Sequence, residues 1–176
     1  MTSTEKHSPH LLRSYHNMIE RVRAVFEYGT KTGVAPSLVH SIQLGKDKAV
    51  ELQELSREEA ERLGDFLRRD IEDAAHYLAN TEGDLAEWMR FDLALIEERL
   101  VETFLIVADR TQVELSEWAE EARHANEYRS NDITGPGTLQ CAACDHTVHF
   151  QEPSHIPECV RCGGNLFKRL PLEQDE

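Results

Sequence analysis

Cys141-Ala-Ala-Cys144 and Cys159-Val-Arg-Cys162 are two short stretches that contain all four cysteines of this 176-residue chain. Two residues separate the cysteines within each pair, and fourteen residues separate the pairs. One Cys-x-x-Cys turn lets two sulfur atoms face the same ion, and a second turn completes a tetrahedron. The spacing therefore predicts one structural zinc ion held by Cys141, Cys144, Cys159 and Cys162.

Two other chemistries use paired cysteines. A rubredoxin-type iron site has the same ligands, so the sequence leaves iron open. A redox Cys-x-x-Cys usually begins a helix in a strand-and-helix fold, and neither pair has that context. His146, His149 and His155 lie nearby, but with four cysteines available we predict surface positions for them. A four-thiolate shell leaves no position for water or substrate, which favours a structural role.

The cysteine pairs lie within residues 138–171, which we predict to be a small β zinc ribbon. Thr147-Val-His-Phe150 alternates like a strand, and Leu166-Phe-Lys-Arg-Leu170 follows as another. Apolar side chains are few, so metal binding is expected to supply most of the folding free energy. Asp145 and Gly163 follow the two pairs at matching positions, where a left-handed backbone is expected.

The segment before the ribbon, residues 129–137, is predicted to be a linker. Arg129-Ser-Asn-Asp132 and Gly135-Pro-Gly137 do not continue a helix. Residues 172–176 form an acidic tail. We therefore expect the helical region and the ribbon to be independent, so that removing the metal unfolds the ribbon and leaves most of the helical structure.

Residues 1–128 have helical periodicity. Ser8-Pro9 predicts the start of the first helix, and Gly29 predicts its end. Ser56-Arg-Glu-Glu59 is a capping-box sequence, and Asp84 is a further N-cap candidate. The predicted helices span about residues 9–28, 37–53, 57–80 and 85–127.

The longest predicted helix, over residues 85–127, has apolar residues at steps of 4, 4 and 3. This eleven-residue period predicts a straight helix or slight right-handed coiling. The helix over residues 57–80, antiparallel across the turn at Gly83, is its expected partner. The fold class is therefore mainly α, an elongated antiparallel helical hairpin or bundle. The rest of the stripe is covered either by the N-terminal helices or by another subunit. Trp88 and Trp118 are predicted to be core or interface anchors.

The charge of the chain is concentrated in its middle. Residues 57–132 carry 21 acidic and nine basic side chains, in a chain of net charge −14. Such a segment repels phosphate backbones, so nucleic-acid contact is expected only through the ribbon. Arg161, Lys168 and Arg169 form a basic cluster there, which we interpret as ordinary surface charge. Residues 1–10 lack the apolar core of a signal peptide, and no apolar run is long enough to cross a bilayer. Thiolates on a metal suit a reducing compartment, so we predict a cytoplasmic protein.

No grouping of side chains in the sequence indicates a catalytic site. Asp73-Ala-Ala-His76 and Glu121-Ala-Arg-His124 are similar to the carboxylate-x-x-His element of di-iron bundles. Their histidines point away from the apolar helix faces, so we interpret both elements as surface residues. The chain contains no His-Glu-x-x-His, phosphate-binding Gly-x4-Gly-Lys or Gly-x-Ser-x-Gly sequence. We predict a protein that is not an enzyme, with no catalytic residues and no evident small-molecule substrate.

The sequence resembles the YbeL-like family of bacterial zinc-ribbon-containing proteins of unknown function. The resemblance extends from about Leu38 onward and includes both cysteine pairs. It is carried by five stretches: Leu67-Arg-Arg-Asp-Ile71, Ala108-Asp-Arg-Thr-Gln-Val-Glu-Leu115, Gly137-Thr-Leu-Gln-Cys-Ala-Ala-Cys144, Ile156-Pro-Glu-Cys-Val-Arg-Cys-Gly-Gly164 and Phe167-Lys-Arg169. It implies a helical region followed by a zinc ribbon in the cytosol, and it implies no established activity.

Three functions are compatible with these features. The first is a non-enzymatic interaction module that binds a protein partner, or itself, through its helices and presents the ribbon as a rigid surface. The second is a factor associated with nucleic acid, the ribosome or a polymerase through the ribbon. The third is a thiol redox or metal-handling protein, which a closed four-thiolate site favours least.

Overall fold

The computed structural model describes residues 9–33, 37–80, 84–89, 97–115 and 127–169. A helical region is followed by short strands, which confirms the predicted fold class of a mainly α chain with a small C-terminal β ribbon. Trp118, the Glu121–His124 element and the tail at residues 172–176 lie outside the described residues. The described elements are α1 (Pro9–Thr32), α2 (Leu38–Glu51), α3 (Arg57–Asn80), α4 (Leu85–Met89), α5 (Glu98–Leu115), β1 (Tyr128–Arg129), β2 (Ile133–Thr134), β3 (Gly137–Cys141), β4 (Thr147–Phe150), β5 (Ser154–His155) and β6 (Leu166–Lys168).

Two predicted helix caps are present. The Ser56 N–H donates to Glu59 Oε2 at 2.8 Å, and the Glu59 N–H donates to Ser56 Oγ at 3.2 Å. This reciprocal pair is the capping box that begins α3. Asp84 Oδ1 accepts the N–H of Glu87 at 3.0 Å at the start of α4. Both caps depend on neighbours in sequence, which is why the sequence predicts them.

Two helix ends differ from the prediction. α1 continues through Gly29 to Thr32, and Gly33 adopts the positive φ of 76°. α2 ends at Glu51, and Gln53 turns the chain with a φ of 57°. A helix commonly stops where the backbone enters the left-handed region. α1 therefore ends at a glycine, as predicted, but that glycine is Gly33 and not Gly29.

The predicted helix over residues 85–127 is not continuous. Glu97 is not helical, and its carbonyl accepts the N–H groups of Leu100 and Val101 at 3.0 and 3.1 Å where α5 begins. α4 packs against α3 and β3, whereas α5 packs against α1 and α3. One apolar spacing therefore serves two sets of contacts, which periodicity alone does not distinguish.

The helical body has its own apolar core. α1, α2, α3 and α5 contribute most of its buried side chains, with Tyr15, Leu67 and Phe104 fully buried. On α5 the predicted stripe at Leu100 and Phe104 is covered within the chain. For these residues the predicted cover by helices of the same chain is correct, and the predicted alternative, another subunit, does not apply.

The ribbon consists of two antiparallel sheets. The larger has the order β1-β6-β3-β4, and β2 pairs with β5. Its core is small and consists of Tyr128, Leu139, Cys141, Phe150, Ile156, Cys159 and Phe167.

The predicted linker at residues 129–137 is instead part of the fold. Its first residue belongs to β1 and its last to β3, and Ile133 and Thr134 form β2. A Cβ atom added to Gly135 would lie 2.6 Å from Phe104 Cζ and 3.0 Å from Tyr15 Oη. Gly135 therefore inserts between two aromatic side chains of the helical body, and only a residue without a side chain fits there. We call residues 135 and 136, between β2 and β3, the inserted loop. Turn residues predict a helix end correctly, but they do not show whether the turn belongs to a loose linker or packs against the rest of the protein.

No helix within the described ranges combines the length and the apolar character that crossing a bilayer requires.

Candidate metal centre

The four cysteines lie on two turns at the end of the larger sheet. β3 ends at Cys141, Cys144 lies in the following turn, and Cys159 and Cys162 lie in a second turn before β6. The Sγ atoms of Cys141 and Cys162 are 3.7 Å apart, and those of Cys144 and Cys159 are 3.5 Å apart. All four Sγ atoms lie within 4.8 Å of one another. The structure therefore brings the four predicted ligands together.

The sulfur positions fit a tetrahedral zinc ion. Zn–S bonds of about 2.3 Å place the sulfur atoms of a tetrahedron about 3.8 Å apart, whereas a disulfide holds them at about 2.05 Å. Gly164 makes room for this cluster. A Cβ atom there would lie 3.1 Å from the Cys162 sulfur and 3.2 Å from the Cys141 sulfur.

The two turns have the same backbone geometry. The Asp145 N–H donates to the Cys141 carbonyl at 3.1 Å, and the Gly163 N–H donates to the Cys159 carbonyl at 2.8 Å. The donor residue has a φ of 58° in the first turn and 73° in the second. Both positions were predicted to be left-handed, and both are. The Gly164 N–H also donates to the Cys162 sulfur at 3.4 Å, which is the kind of contact that stabilises a metal-bound thiolate.

The nearby histidines are not part of the sulfur cluster. Among the described residues, the cluster of potential metal ligands contains cysteines alone. His149 Nδ1 lies 2.8 Å from Thr138 Oγ1, and His155 Nδ1 lies 3.3 Å from the Asn131 carbonyl. These two side chains therefore contact a threonine hydroxyl and a backbone carbonyl of the ribbon.

The thiols influence one another's ionisation. Burial raises the pKa of Cys159, but hydrogen bonds from the backbone of Arg161 and Cys162 outweigh burial and lower the pKa to about 7. A backbone hydrogen bond from His146 lowers the pKa of Cys144, but burial and the neighbouring thiols raise it to about 12. Four adjacent sulfur atoms become thiolates together only when a cation offsets their charge, which a divalent metal ion does.

A group of buried charged residues joins the ribbon to the helices. We call it the charged interface, and it consists of Arg69, Asp70, Asp73 and Arg169. Asp70 is fully buried and accepts the N–H of Gly135 at 2.7 Å. It also accepts the Tyr15 hydroxyl and Arg69 Nη2, the latter at 3.0 Å. One carboxylate on α3 thus binds α1 and the inserted loop at once.

The second carboxylate of the charged interface binds the ribbon sheet. Tyr128 in β1 donates its hydroxyl to Asp73 Oδ2 at 2.6 Å. Arg169, just after β6, lies with Nε 3.7 Å from Asp73 Oδ2 and 3.2 Å from the Tyr128 hydroxyl. Its guanidinium carbon also lies 4.1 Å from the centre of the Trp88 ring. Trp88 is therefore an interface anchor, as predicted.

Arg69 closes the charged interface from the helical side. Its Nη2 donates to the Ile133 carbonyl at 2.8 Å, and its Nη1 lies 3.1 Å from Asp132 Oδ2. Burial is the largest influence on the pKa of Asp73 and raises it, while the Arg169 charge opposes that effect. The interface is therefore dehydrated and depends on accurate pairing of its charges.

Two sequence interpretations are corrected here. Arg169 was assigned with Arg161 and Lys168 to a surface cluster, but it is buried, and only the other two are exposed. Asp73 was assigned to the surface with His76, but it faces Tyr128 in the interface. The sequence contains one indication that Asp70 and Asp73 are buried. These two residues flank Ile71 and Ala74, which belong to the apolar stripe of α3.

A short antiparallel sheet that carries two such cysteine turns defines a zinc ribbon. The chain belongs to the zinc-ribbon containing domain family, whose model matches residues 28–171. This confirms the resemblance drawn from the sequence. The uncharacterized protein YbeL of Escherichia coli strain K12 is 29% identical over 136 residues, which cover 75% of this chain and 81% of YbeL. Proteins of the same name from strains O6:H1 and O157:H7 match equally well. No solved structure matches this chain significantly.

Proposed function

We propose that this protein is a cytoplasmic, non-enzymatic interaction module, in which one structural zinc ion holds the ribbon in shape for a protein partner. The observation that carries the proposal is the closed set of four sulfur atoms. Four thiolates fill the coordination shell of zinc, so no position is left for water or substrate. The metal then acts on the shape of the ribbon and not on a reaction.

The metal-binding turns offer a contact surface. Val160 lies between two ligands, and its side chain is 82% exposed. Ala142, Ala143 and Arg161 are also exposed on these turns. A rigid support lowers the entropy that is lost when such side chains are buried against a partner. This surface supports the assignment of the ribbon as the element that contacts a partner.

The helices supply a second candidate contact surface, for self-association. Large apolar side chains are exposed on α1, on and just after α2, and on α5: Tyr28, Val39, Leu44, Leu52 and Leu105. They do not form one continuous stripe along a single helix. We therefore assign the main contact to the ribbon and treat dimerisation as secondary.

A cleft of about 450 Å³ lies between α1, the start of α5 and the loop after β4. Its polar side chains are Arg13, His16, Glu97, Gln151 and Glu152. Catalytic sites usually combine a nucleophile or metal with a positioned base. These five side chains include no cysteine, serine or threonine, and the cysteine cluster lies elsewhere, so the cleft gives no reason to propose catalysis.

Nucleic-acid binding through the ribbon is the alternative from a different class. The burial of Arg169 leaves Arg161 and Lys168 as the exposed members of the proposed basic cluster. Two cations neutralise few phosphate charges, so they would bind a nucleic-acid backbone only weakly. We therefore place this alternative below protein binding.

Site-specific crosslinking tests the proposal. A photoreactive amino acid replaces Val160 in one variant and Asp65, an exposed residue of α3 outside both candidate contact surfaces, in a control. We expect protein adducts from position 160 in zinc-loaded protein, and far fewer from the same variant carrying Cys141→Ser. Equal adducts from both positions, or adducts with RNA alone, would overturn the proposal. Metal analysis of the purified protein is expected to give one zinc per chain.

A further inference from the structure

We propose that the ribbon is a metal-locked lid on the helical body, so that zinc occupancy controls whether the charged interface is closed. This inference needs the metal site but not the proposed partner, so it fails or stands separately from the proposed function.

The path from the cysteines to the charged interface is short. Cys141 in β3 pairs with Phe167 in β6, and Phe167 pairs with Tyr128 in β1. The Ala142 N–H donates to the Leu166 carbonyl at 2.9 Å. Arg169 follows β6 directly. The first metal-binding turn therefore fixes the register of the strands that position Tyr128 and Arg169 against Asp73.

The same strand fixes the inserted loop. β3 runs from Gly137 to Cys141, and Gly135 lies two residues before it. The Gly135 N–H is a hydrogen-bond donor to buried Asp70. If β3 loses its partner strands, this donor loses its anchor and Asp70 loses a buried hydrogen bond. Both carboxylates of α3 thus depend on strands held by the metal.

The chemistry of the charged interface makes opening reversible. Arg69, Asp70 and Asp73 lie on α3, and Arg169 approaches Asp73 from the ribbon side; all four side chains have exposures of 10% or less. Such groups are costly when one partner is withdrawn from a dry site, but all of them hydrate well once water enters. An interface of this type has two favourable arrangements, closed and paired or open and hydrated.

The ribbon core is too small to hold the closed arrangement alone. It contains seven buried hydrophobic residues, two of which are the proposed ligands Cys141 and Cys159. Metal binding therefore supplies much of its folding free energy. Withdrawing the metal would open the charged interface and expose the faces of α1, α3 and α5 that surround Tyr15, Asp70 and Phe104.

Coupling of this kind is reciprocal. If zinc closes the interface, a closed interface must also strengthen zinc binding. A substitution on α3, outside the ribbon, should therefore weaken zinc affinity. Asp73→Asn keeps the size of the side chain and an acceptor for Tyr128 but removes the charge opposite Arg169.

The first experiment measures how the charged interface affects zinc binding. We expect Asp73→Asn to weaken zinc affinity about tenfold in competition with a chromogenic chelator. The matched control is Glu72→Gln on the same helix, whose carboxylate pairs with Arg68 at 2.7 Å, and its affinity should change by less than about twofold. Equal zinc affinities in the two variants would overturn the proposal.

Hydrogen exchange on the unmodified protein provides the second measurement and does not depend on any variant folding. Removing zinc with a chelator should accelerate amide exchange in α1 and α3 around Tyr15 and Asp70, as well as in the ribbon. The α2 amides around Ile42, away from the charged interface, should keep their protection. If exchange accelerates in the ribbon alone, the lid is not coupled to the helices and the proposal is wrong.

Discussion

The helical body and the ribbon are stabilised by different physical effects. Among the described residues, the core of the helical body has 22 buried hydrophobic residues, one of which is Ile133 of β2, and the core of the ribbon has seven. Burial of apolar surface, which contributes about 25 cal/mol per Å², is the main stabilising effect in the helical body. We expect the ribbon to need a metal ion as well, because its core is small. The charged interface would then join a part that folds by burial of apolar surface to a part whose folding depends on metal coordination.

The largest effect should come from a metal ligand. Cys141→Ser removes a buried thiolate that also belongs to the ribbon core, so we expect loss of bound zinc and unfolding of the ribbon. Metal analysis and near-ultraviolet circular dichroism of Tyr128 and Trp88 measure the two losses. His146→Ala is the control, since this histidine lies beside the cluster without belonging to it. Retention of zinc by Cys141→Ser would show that other ligands hold the metal.

A smaller effect is expected at the point where the two parts meet. Gly135→Ala places a methyl group 2.6 Å from Phe104 Cζ, and overpacking of this kind costs about 1–3 kcal/mol. Urea unfolding followed by tryptophan fluorescence measures the free energy of unfolding. In the control Gly45→Ala, the new methyl group lies 3.4 Å from Met18 Cγ within a helix. Helix propensity favours alanine there by about 1 kcal/mol, so the control should be neutral or slightly stabilising. Equal effects would mean that Gly135 is not tightly enclosed.

The smallest effect should be confined to the helical body. The Ser56 N–H donates to the Glu59 carboxylate, and this backbone hydrogen bond is the largest cause that lowers the pKa of Glu59. A lowered folded-state pKa contributes stability above the ordinary value of 4.5, and this stability is lost as the pH falls through the folded-state pKa.

Glu59→Gln should therefore cost about 0.5 kcal/mol at pH 7 and nothing at a pH below the folded-state pKa of Glu59. Chemical denaturation across this pH range is the measurement, with Glu58→Gln in the same turn as the control. The zinc affinity of Glu59→Gln should equal that of the unmodified protein. A change in zinc affinity would show that the capping box of α3 affects the metal site, which contradicts the expectation that this effect is confined to the helical body.

Local features of this chain were predictable, and contacts between distant segments were not. The cysteine spacing, the left-handed Asp145 and Gly163, and the Ser56 capping box all depend on residues a few positions apart. Arg169 was assigned to the surface because arginine is rarely buried without a partner, and its partner Asp73 lies 96 positions earlier in the sequence.

The inserted loop and the interruption at Glu97 were missed for a related reason. Glycine and proline in residues 135–137 indicate a turn wherever that turn lies. Only the packing of Phe104 and Tyr15 around Gly135 shows that the turn is buried. Similarly, one apolar stripe continues across α4 and α5, which both pack against α3, although α4 also packs against β3 and α5 against α1. Periodicity shows which face of a helix is buried, but it does not show which element covers that face.

The position of Gly135 also affects the order of events during synthesis. A ribosome makes α1 and α3 well before residue 135, so Asp70 emerges long before the N–H that it accepts. Domains usually begin to fold from the N-terminal side as they emerge. Here the helices would pass through a stage in which Asp70 is hydrated and the place of Gly135 is empty. The mature packing between Tyr15 and Phe104 is completed only when the last quarter of the chain has left the ribosome.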